Sequence, residues 1–341
     1  MEKKRLFFLK NDYFDISHKK VIKVISCLLI GLFFSLTLSN CTQPAAQPLR
    51  IGANLWPGYE TLYLARELGY YGDKPIHLVD YPSGTEEVRA YRHNEIEGAG
   101  LSIDQAIVLA TTQKNIKIVG IMDISHGGDA ILGKPGMSNM QDLKGKKVGV
   151  ESTALGAFFL ARALEENNMQ IQDIEIISLE TTEHESAYNT GYVDAVVTFG
   201  KPMLNLLAQE APILFDSSQI PGEIVDTLVI NTGRIKTDRE TVQALVNGRF
   251  KALEYFNQNP GEAAVLMAKR TGVTAEQMLN SFDGLQQPSL QENQELLDQT
   301  DPALVQGMEK LIQIMLDNNL ISQSIEPANI LDDSFVRNVV F

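Results

Sequence analysis

Lys147-Val-Gly-Val-Glu151 runs straight into Ser152-Thr-Ala-Leu-Gly156 and then Ala157-Phe-Phe-Leu-Ala-Arg-Ala-Leu-Glu-Glu166. A short β-forming run, a turn of small polar residues and a stretch with helical apolar spacing follow one another without a gap. This reads as a strand over 147–151 whose carboxyl end opens a helix over Ala154–Glu166. The same unit recurs on both sides. Strands are expected at Leu49–Ala53, Ile76–Asp80, Gly98–Leu101, Ile116–Met122, Ile174–Leu179, Ala195–Thr198 and Ile224–Ile230. Helices are expected at Glu60–Leu68, Thr85–Arg92, Ile103–Ala110 and Pro202–Gln209. Such alternation is the signature of an α/β protein built on parallel sheets covered by helices.

The pattern changes after Asn231. Thr237-Asp-Arg-Glu240 reads as a capping box before a helix over Val242–Asn257, and Pro260 suits the first turn of another. Thr274-Ala-Glu-Gln277 is a second capping box, and Asp301-Pro302 a start signal ahead of Ala303–Asp317. The last third is therefore expected to be mostly helical.

Composition narrows the function. The 341 residues hold 29 Lys plus Arg against 43 Asp plus Glu, a formal charge of −14. The first forty contain seven of the basic and three of the acidic side chains, so the remainder carries −18. That field opposes nucleic-acid binding, which rests on clustered Lys and Arg. Residues 24–41, an apolar run after Lys19, Lys20 and Lys23 that ends in Leu-Ser-Asn-Cys41, read as a lipoprotein signal, with Cys41 the lipidated residue and 41–47 a tether. The protein is then expected on the outer face of a bacterial membrane, held by its lipid. An uncleaved anchor would place the domain on the same side. The only other cysteine, Cys27, lies within that run, so no thiol remains for a disulfide, a zinc cluster or nucleophilic catalysis.

Gly- and Ser-bearing turns fall where strands hand over to helices: Leu55-Trp-Pro-Gly-Tyr-Glu60, Tyr81-Pro-Ser-Gly-Thr-Glu86, Leu101-Ser-Ile-Asp104 and Glu151 to Gly156. In open α/β sheets ligands bind outside those ends. With Tyr63-Leu-Ala-Arg66, Asp123-Ile-Ser-His-Gly-Gly-Asp-Ala130, Asp142-Leu-Lys-Gly-Lys-Lys-Val-Gly-Val-Glu151, Asp194-Ala-Val-Val-Thr-Phe199 and Asp216-Ser-Ser-Gln-Ile-Pro-Gly222, the series resembles the nitrate/sulfonate/taurine class of substrate-binding proteins that serve ABC importers. It also resembles the related thiamine-pyrimidine-synthase-like domain. The resemblance implies a two-lobed periplasmic binding protein type II fold, each lobe a mainly parallel sheet flanked by helices. Lobe one would take 48–128 plus 226–341, and lobe two 129–225. The partners implied are a small-molecule ligand, a permease and its ATPase; the protein is expected to act as a monomer, without a cofactor.

Candidate ligand contacts lie on these turns. Trp56, the only tryptophan, and Tyr59 sit beside Pro57 and Gly58, where an aromatic can stack on a ring or face a cation, or else cover the core. Ser83 and Thr85 open a helix, as do Ser102 and Asp104, either toward ligand or as caps. Asp123, Ser125 and Asp129 flank the crossing between lobes, with Gly127 and Gly128 as its hinge. Glu151, Ser152 and Thr153 open the helix of lobe two, Thr198 closes a matched strand, and Asp226 interrupts an apolar one and needs a partner. Gly200-Lys201-Pro202 departs from relatives that carry an acid before the proline.

An enzyme is not expected. His77, His93, His126 and His184 lack the close spacing of a zinc site, and there is neither a nucleophile elbow nor a Walker loop. The pyrimidine-synthase relatives depend on a cysteine-rich motif that this chain lacks after Cys41. A sensing role, in which closure is reported to a membrane partner, keeps the same domain. Acids outnumber bases on the candidate cleft segments, with Arg89 and Lys201 beyond the turns. The expected ligand is therefore a neutral or cationic nitrogen-containing organic molecule, ahead of nitrate or a simple sulfonate.

Overall fold

Strands alternate with helices through residue 231, as the hydrophobic patterning requires, and the computed structural model describes residues 47–113, 115–298 and 302–341. The leader, Cys41 and the Asp301 cap lie outside the described residues. In chain order the strands are β1 (Leu49–Ala53), β2 (Ile76–Asp80), β3 (Gly98–Ser102), β4 (Ile116–Ser125), β5 (Asp129–Gly133), β6 (Lys147–Glu151), β7 (Glu175–Leu179), β8 (Ala195–Phe199), β9 (Ile213–Asp216), β10 (Val225–Asn231) and β11 (Leu285–Gln286). They form two sheets, ordered β11-β4-β10-β3-β1-β2 and β7-β6-β8-β5-β9.

The fold is α/β with two sheets, each the centre of one lobe. β1 runs parallel to β2 and β3, and β6 parallel to β7 and β8. Antiparallel pairs come from strands at which the chain changes lobe: β10 against β3 and β4, and β5 against β8 and β9. Three strands escape the sequence pattern. β9 and β11 are four and two residues long, too short for a periodic signal, and β5 is a three-residue apolar centre closed by Asp129 and Gly133 next to Gly128. The seven-residue helix His184–Thr190 likewise carries no clear sequence signal.

The central strands of the second sheet, β5, β6 and β8, are buried on both faces while the edge strand β7 is largely exposed, and the pleat sorts the side chains. Ala130, Leu132 and Val196 enter one apolar cluster, while Ile131, Ala195 and Val197 enter the other. After β10 the chain is mostly helical. Helix Arg239–Gln258 packs on Glu60–Glu67, and Pro260–Thr271 packs on both. Helix Pro302–Asp317 lies against Ile103–Thr112 and Ala154–Glu166, and so touches both lobes. One expected cap is displaced. Thr237 ends a short helix, Thr232–Thr237, and Asp238 is the residue whose carboxylate accepts the Thr241 N–H at 3.3 Å. Among the described residues no helix is long and apolar enough to cross a membrane.

Two segments join the lobes side by side, 126–128 and 217–224. Ser217 ties them together: its Oγ accepts the Gly127 N–H and lies 2.7 Å from the Ser125 hydroxyl, while the Ser125 N–H donates to Ile224 O at 3.0 Å. Gly127 has φ of +105°, where a side chain would be strained. A Cβ on Gly128 would come within 3.0 Å of the Trp56 ring.

Candidate functional site

The turns singled out from the sequence meet between the sheets. Asn54, Trp56, Tyr59, Gly84, Ser102, Gln105 and Asp226 on the first lobe face Asp129, Glu151, Leu155 and Phe199 on the second, around about 340 Å³ of atom-free space. Two wider depressions lined from both lobes adjoin it, one holding Lys201 and the other Arg89, Arg92 and His93, and the lobes touch across the cleft. Trp56 meets Phe199 edge to face with ring centres 5.6 Å apart, and Lys201 Nζ reaches Gly272 O at 3.3 Å from the opposite lobe.

The β1–helix turn builds the first wall. Asn54 Oδ1 accepts the Trp56 N–H at 2.8 Å, and the indole N–H in turn faces both carboxylate oxygens of Asp123 at 3.1 Å. Gly58 leaves the room: a Cβ there would overlap Asp123 Oδ2 at 1.7 Å. Asp123 thus holds Trp56 in place and is not itself among the lining residues. Tyr59, on the same turn, donates its hydroxyl hydrogen bond to Asp226 on β10. Asp226 stands opposite both Asp123 on β4 and Ser102 on β3.

The second wall comes from strand ends. Asp129 begins β5 and Glu151 ends β6; both are buried, and Asp129 Oδ2 and Glu151 Oε1 accept no hydrogen bond. Ser102 Oγ and Asp104 Oδ2 across the cleft are also buried without partners. Among the described residues no Lys, Arg or His lines this space.

Burial dominates the electrostatics. It pushes Asp129 and Glu151 up to about 7 and Asp104 up to about 6, because an ionised carboxylate loses its hydration there. Neighbouring acids add to this: Asp104 raises Asp129, while Glu180, Asp104 and Asp129 raise Glu151. Asp226 and Asp123 are also raised by burial, and each carries part of the other's cost or that of Asp129. The buried Arg249 guanidinium offsets Asp123 alone among these.

Of the thirteen candidate contacts, Trp56, Tyr59, Ser102, Asp129, Glu151 and Asp226 line the cavity. The remainder have other surroundings. Ser83 caps its own helix through the Glu86 N–H at 3.4 Å, and Thr153 caps the Ala154–Glu166 helix through the Gly156 N–H at 3.0 Å. Ser152 pairs with Ser178, Ser125 with Ser217, and Thr198 with His184 at 3.1 Å. Thr85 lies, with Ser152 and Thr153, on a wider depression that also holds Arg89 and Arg92. Lining residues not singled out are Asn54, Gly84, Gln105, Leu155 and Phe199. Gly84, Leu155 and Phe199 lie within quoted segments, whereas Asn54 sits just ahead of one and Gln105 carried no signal beyond its place in a helix.

Two mixed sheets joined by paired crossings, with a cleft at their strand ends, define a periplasmic binding protein fold. Solved structures share it. The ligand-binding component of an ABC-type import system from Staphylococcus aureus, with zinc bound, superposes with a TM-score of 0.72 at 14% identity over 86% of this chain and 99% of that one. The desulfurization enzyme DSZB superposes at 0.66 and 16% identity over 85% and 98%. The chain belongs to the NMT1/THI5-like family, whose model matches residues 56–263. Among curated proteins, the taurine-binding periplasmic protein of Escherichia coli K12 is 23% identical over 183 residues, 53% of this chain and 57% of that protein, so the match spans little more than half the relative's length. Among the described residues no three His, Cys, Asp or Glu side chains are grouped to hold a metal ion.

Proposed function

We propose that this protein is the lipid-anchored, extracytoplasmic solute-binding component of an ABC importer, closing over a small nitrogen-containing organic molecule and presenting it to a permease. The observation that carries the ligand class is the cavity lining: Asp129, Glu151 and Asp226 face it with no basic side chain among them. A sulfonate or nitrate entering this space would add a negative charge to buried acids, at a cost of several kcal/mol. A protonated amine, or the ring nitrogens and amino groups of a pyrimidine, would instead supply the donors those oxygens lack. Family membership and the taurine-binding relative support the solute-binding role.

Segments 126–128 and 217–224 serve as the hinge in this reading, and 48–128 with 226–341 closes on 129–225. A thermal-shift screen of the protein against amines, pyrimidines, amino acids and sulfonates tests the reading. An amine or pyrimidine at a hundred times its dissociation constant should add about 2.7 kcal/mol of stability. A response to taurine or nitrate alone would reject the ligand class. Anchoring at Cys41 is tested separately: Cys41→Ser should abolish incorporation of labelled fatty acid, and unchanged labelling would remove the anchor from the proposal.

A further inference from the structure

The acids of the cleft do not form one cluster. Asp129 and Glu151 belong to the second lobe and Asp226 to the first. They line opposite walls of one space, and Asp129 Oδ2 and Glu151 Oε1 accept no hydrogen bond. A single positive centre held at one wall would leave the acid of the other wall buried and uncompensated. Beside the acids, Trp56, Phe199 and Leu155 offer hydrocarbon surface to this space, together with the polar Asn54, Ser102 and Gln105.

We propose that the solute is a short dication, two protonated nitrogens joined by a hydrocarbon spacer, with one nitrogen held by Asp129 and Glu151 and the other by Asp226. This rests on the reading of a nitrogen-containing solute given above and narrows it. The two unpartnered oxygens, Asp129 Oδ2 and Glu151 Oε1, accept from the first nitrogen. Asp226, oriented by the Tyr59 hydroxyl, accepts from the second. The spacer lies against the Trp56 and Phe199 rings, so both lobes are joined through one molecule and shutting the cleft is part of binding.

Titration calorimetry at pH 8 on the full chain in detergent tests this with four probes: 1,4-diaminobutane, butylamine, 1,4-butanediol and taurine. The diamine should bind at least about thirtyfold more tightly than butylamine, since stranding one buried carboxylate costs upward of about 2 kcal/mol. The diol should be weaker than either. Glu151→Gln and Asp226→Asn remove charge without changing shape, and each should bring the diamine's affinity down to that of butylamine; melting curves confirm that the variants fold. Butylamine binding within threefold of the diamine would overturn the dication and leave the nitrogen-bearing ligand standing. So would failure of the three-, four- and five-carbon diamines at about 1 mM together with a pyrimidine hit in the thermal screen. Taurine binding without either amine would overturn both.

Discussion

Two sets of buried acids have opposite surroundings. Glu60 is fully buried, and Arg270 answers it: the guanidinium donates to Glu60 Oε1 through two nitrogens, to Asp80 at 2.9 Å and to Asn54 O at 3.0 Å, while stacking 3.8 Å over the Tyr63 ring. Burial still lifts Glu60 to about 6, with Arg270 pulling the other way. In the cleft, Asp129, Glu151 and Asp226 are buried too, yet no cation lines their cavity. Glu60 thus has a fitted counterion, Glu87, equally buried, has only the Asn54 amide at 3.3 Å, and the acids lining the cleft have no counterion among the described residues. In the proposed function the solute supplies one.

Removing the internal counterion should have the largest effect. Arg270→Met strands Glu60 and should cost about 3–5 kcal/mol in urea unfolding at pH 8, the usual penalty for an uncompensated buried charge. Adding Glu60→Gln should restore much of the loss. A loss under about 1 kcal/mol would mean that Glu60 and Arg270 are not coupled as their geometry implies, and the contrast with the cleft would disappear.

The cleft acids should respond in the opposite sense. Glu151 and Asp129, lifted to about 7 from ordinary values near 4, bind protons more tightly in the closed protein than in the unfolded chain. Their contribution is therefore full below about pH 4 and is lost as pH rises toward and through 7. The groups facing them, Asp104, Glu180 and each other, are also acids, so none reverses the sign. Ligand-free protein should melt lower at pH 8 than at pH 5. Glu151→Gln should flatten that slope and raise stability at pH 8 by about 1–3 kcal/mol, since each tenfold gain in proton affinity on folding corresponds to about 1.4 kcal/mol. Opening of the lobes rehydrates the carboxylates and keeps the observed value below the upper end of that range. A melting temperature that climbs from pH 5 to pH 8 would show that the cleft acids are compensated after all.

The division between these regions is only partly legible in the sequence. Strand–turn–helix units announce themselves because β-forming runs and helical spacing are local, and the expected bounds of β1, β2 and β6 and of helix Ala154–Glu166 match the structure. The acids of the cleft are legible because a carboxylate inside or at the end of an apolar strand needs a reason. Their counterions are not: Arg270 lies 210 residues from Glu60, and Arg249 lies 126 residues from Asp123. No local pattern reports which distant arginine closes on which acid. The same limit applies to Phe199, which meets Trp56 only because the lobes come together, and to Gln105, whose amide approaches Gly84 across two helices.

The smallest effect separates polar groups that serve the fold from those that serve the cavity. Ser83 and Thr153 sit at helix starts near the cleft and are equally readable from sequence as ligand contacts or caps. Thr153 Oγ1 accepts the Gly156 N–H at 3.0 Å, whereas Ser83 Oγ accepts the Glu86 N–H at a longer 3.4 Å. A cap supplies one acceptor to an amide that the helix cannot satisfy, so its worth follows the quality of that bond. Thr153→Ala should therefore cost about 1 kcal/mol of unfolding free energy, Ser83→Ala about half that, and neither should change ligand affinity by more than about twofold. Stability is read by urea unfolding, and affinity by calorimetry with whichever compound the thermal screen identifies. If either hydroxyl instead touches the solute, its removal leaves a polar ligand group unpaired and affinity falls tenfold or more while the melt barely moves. That result would move the residue from the set that holds the protein together to the set that holds what it carries.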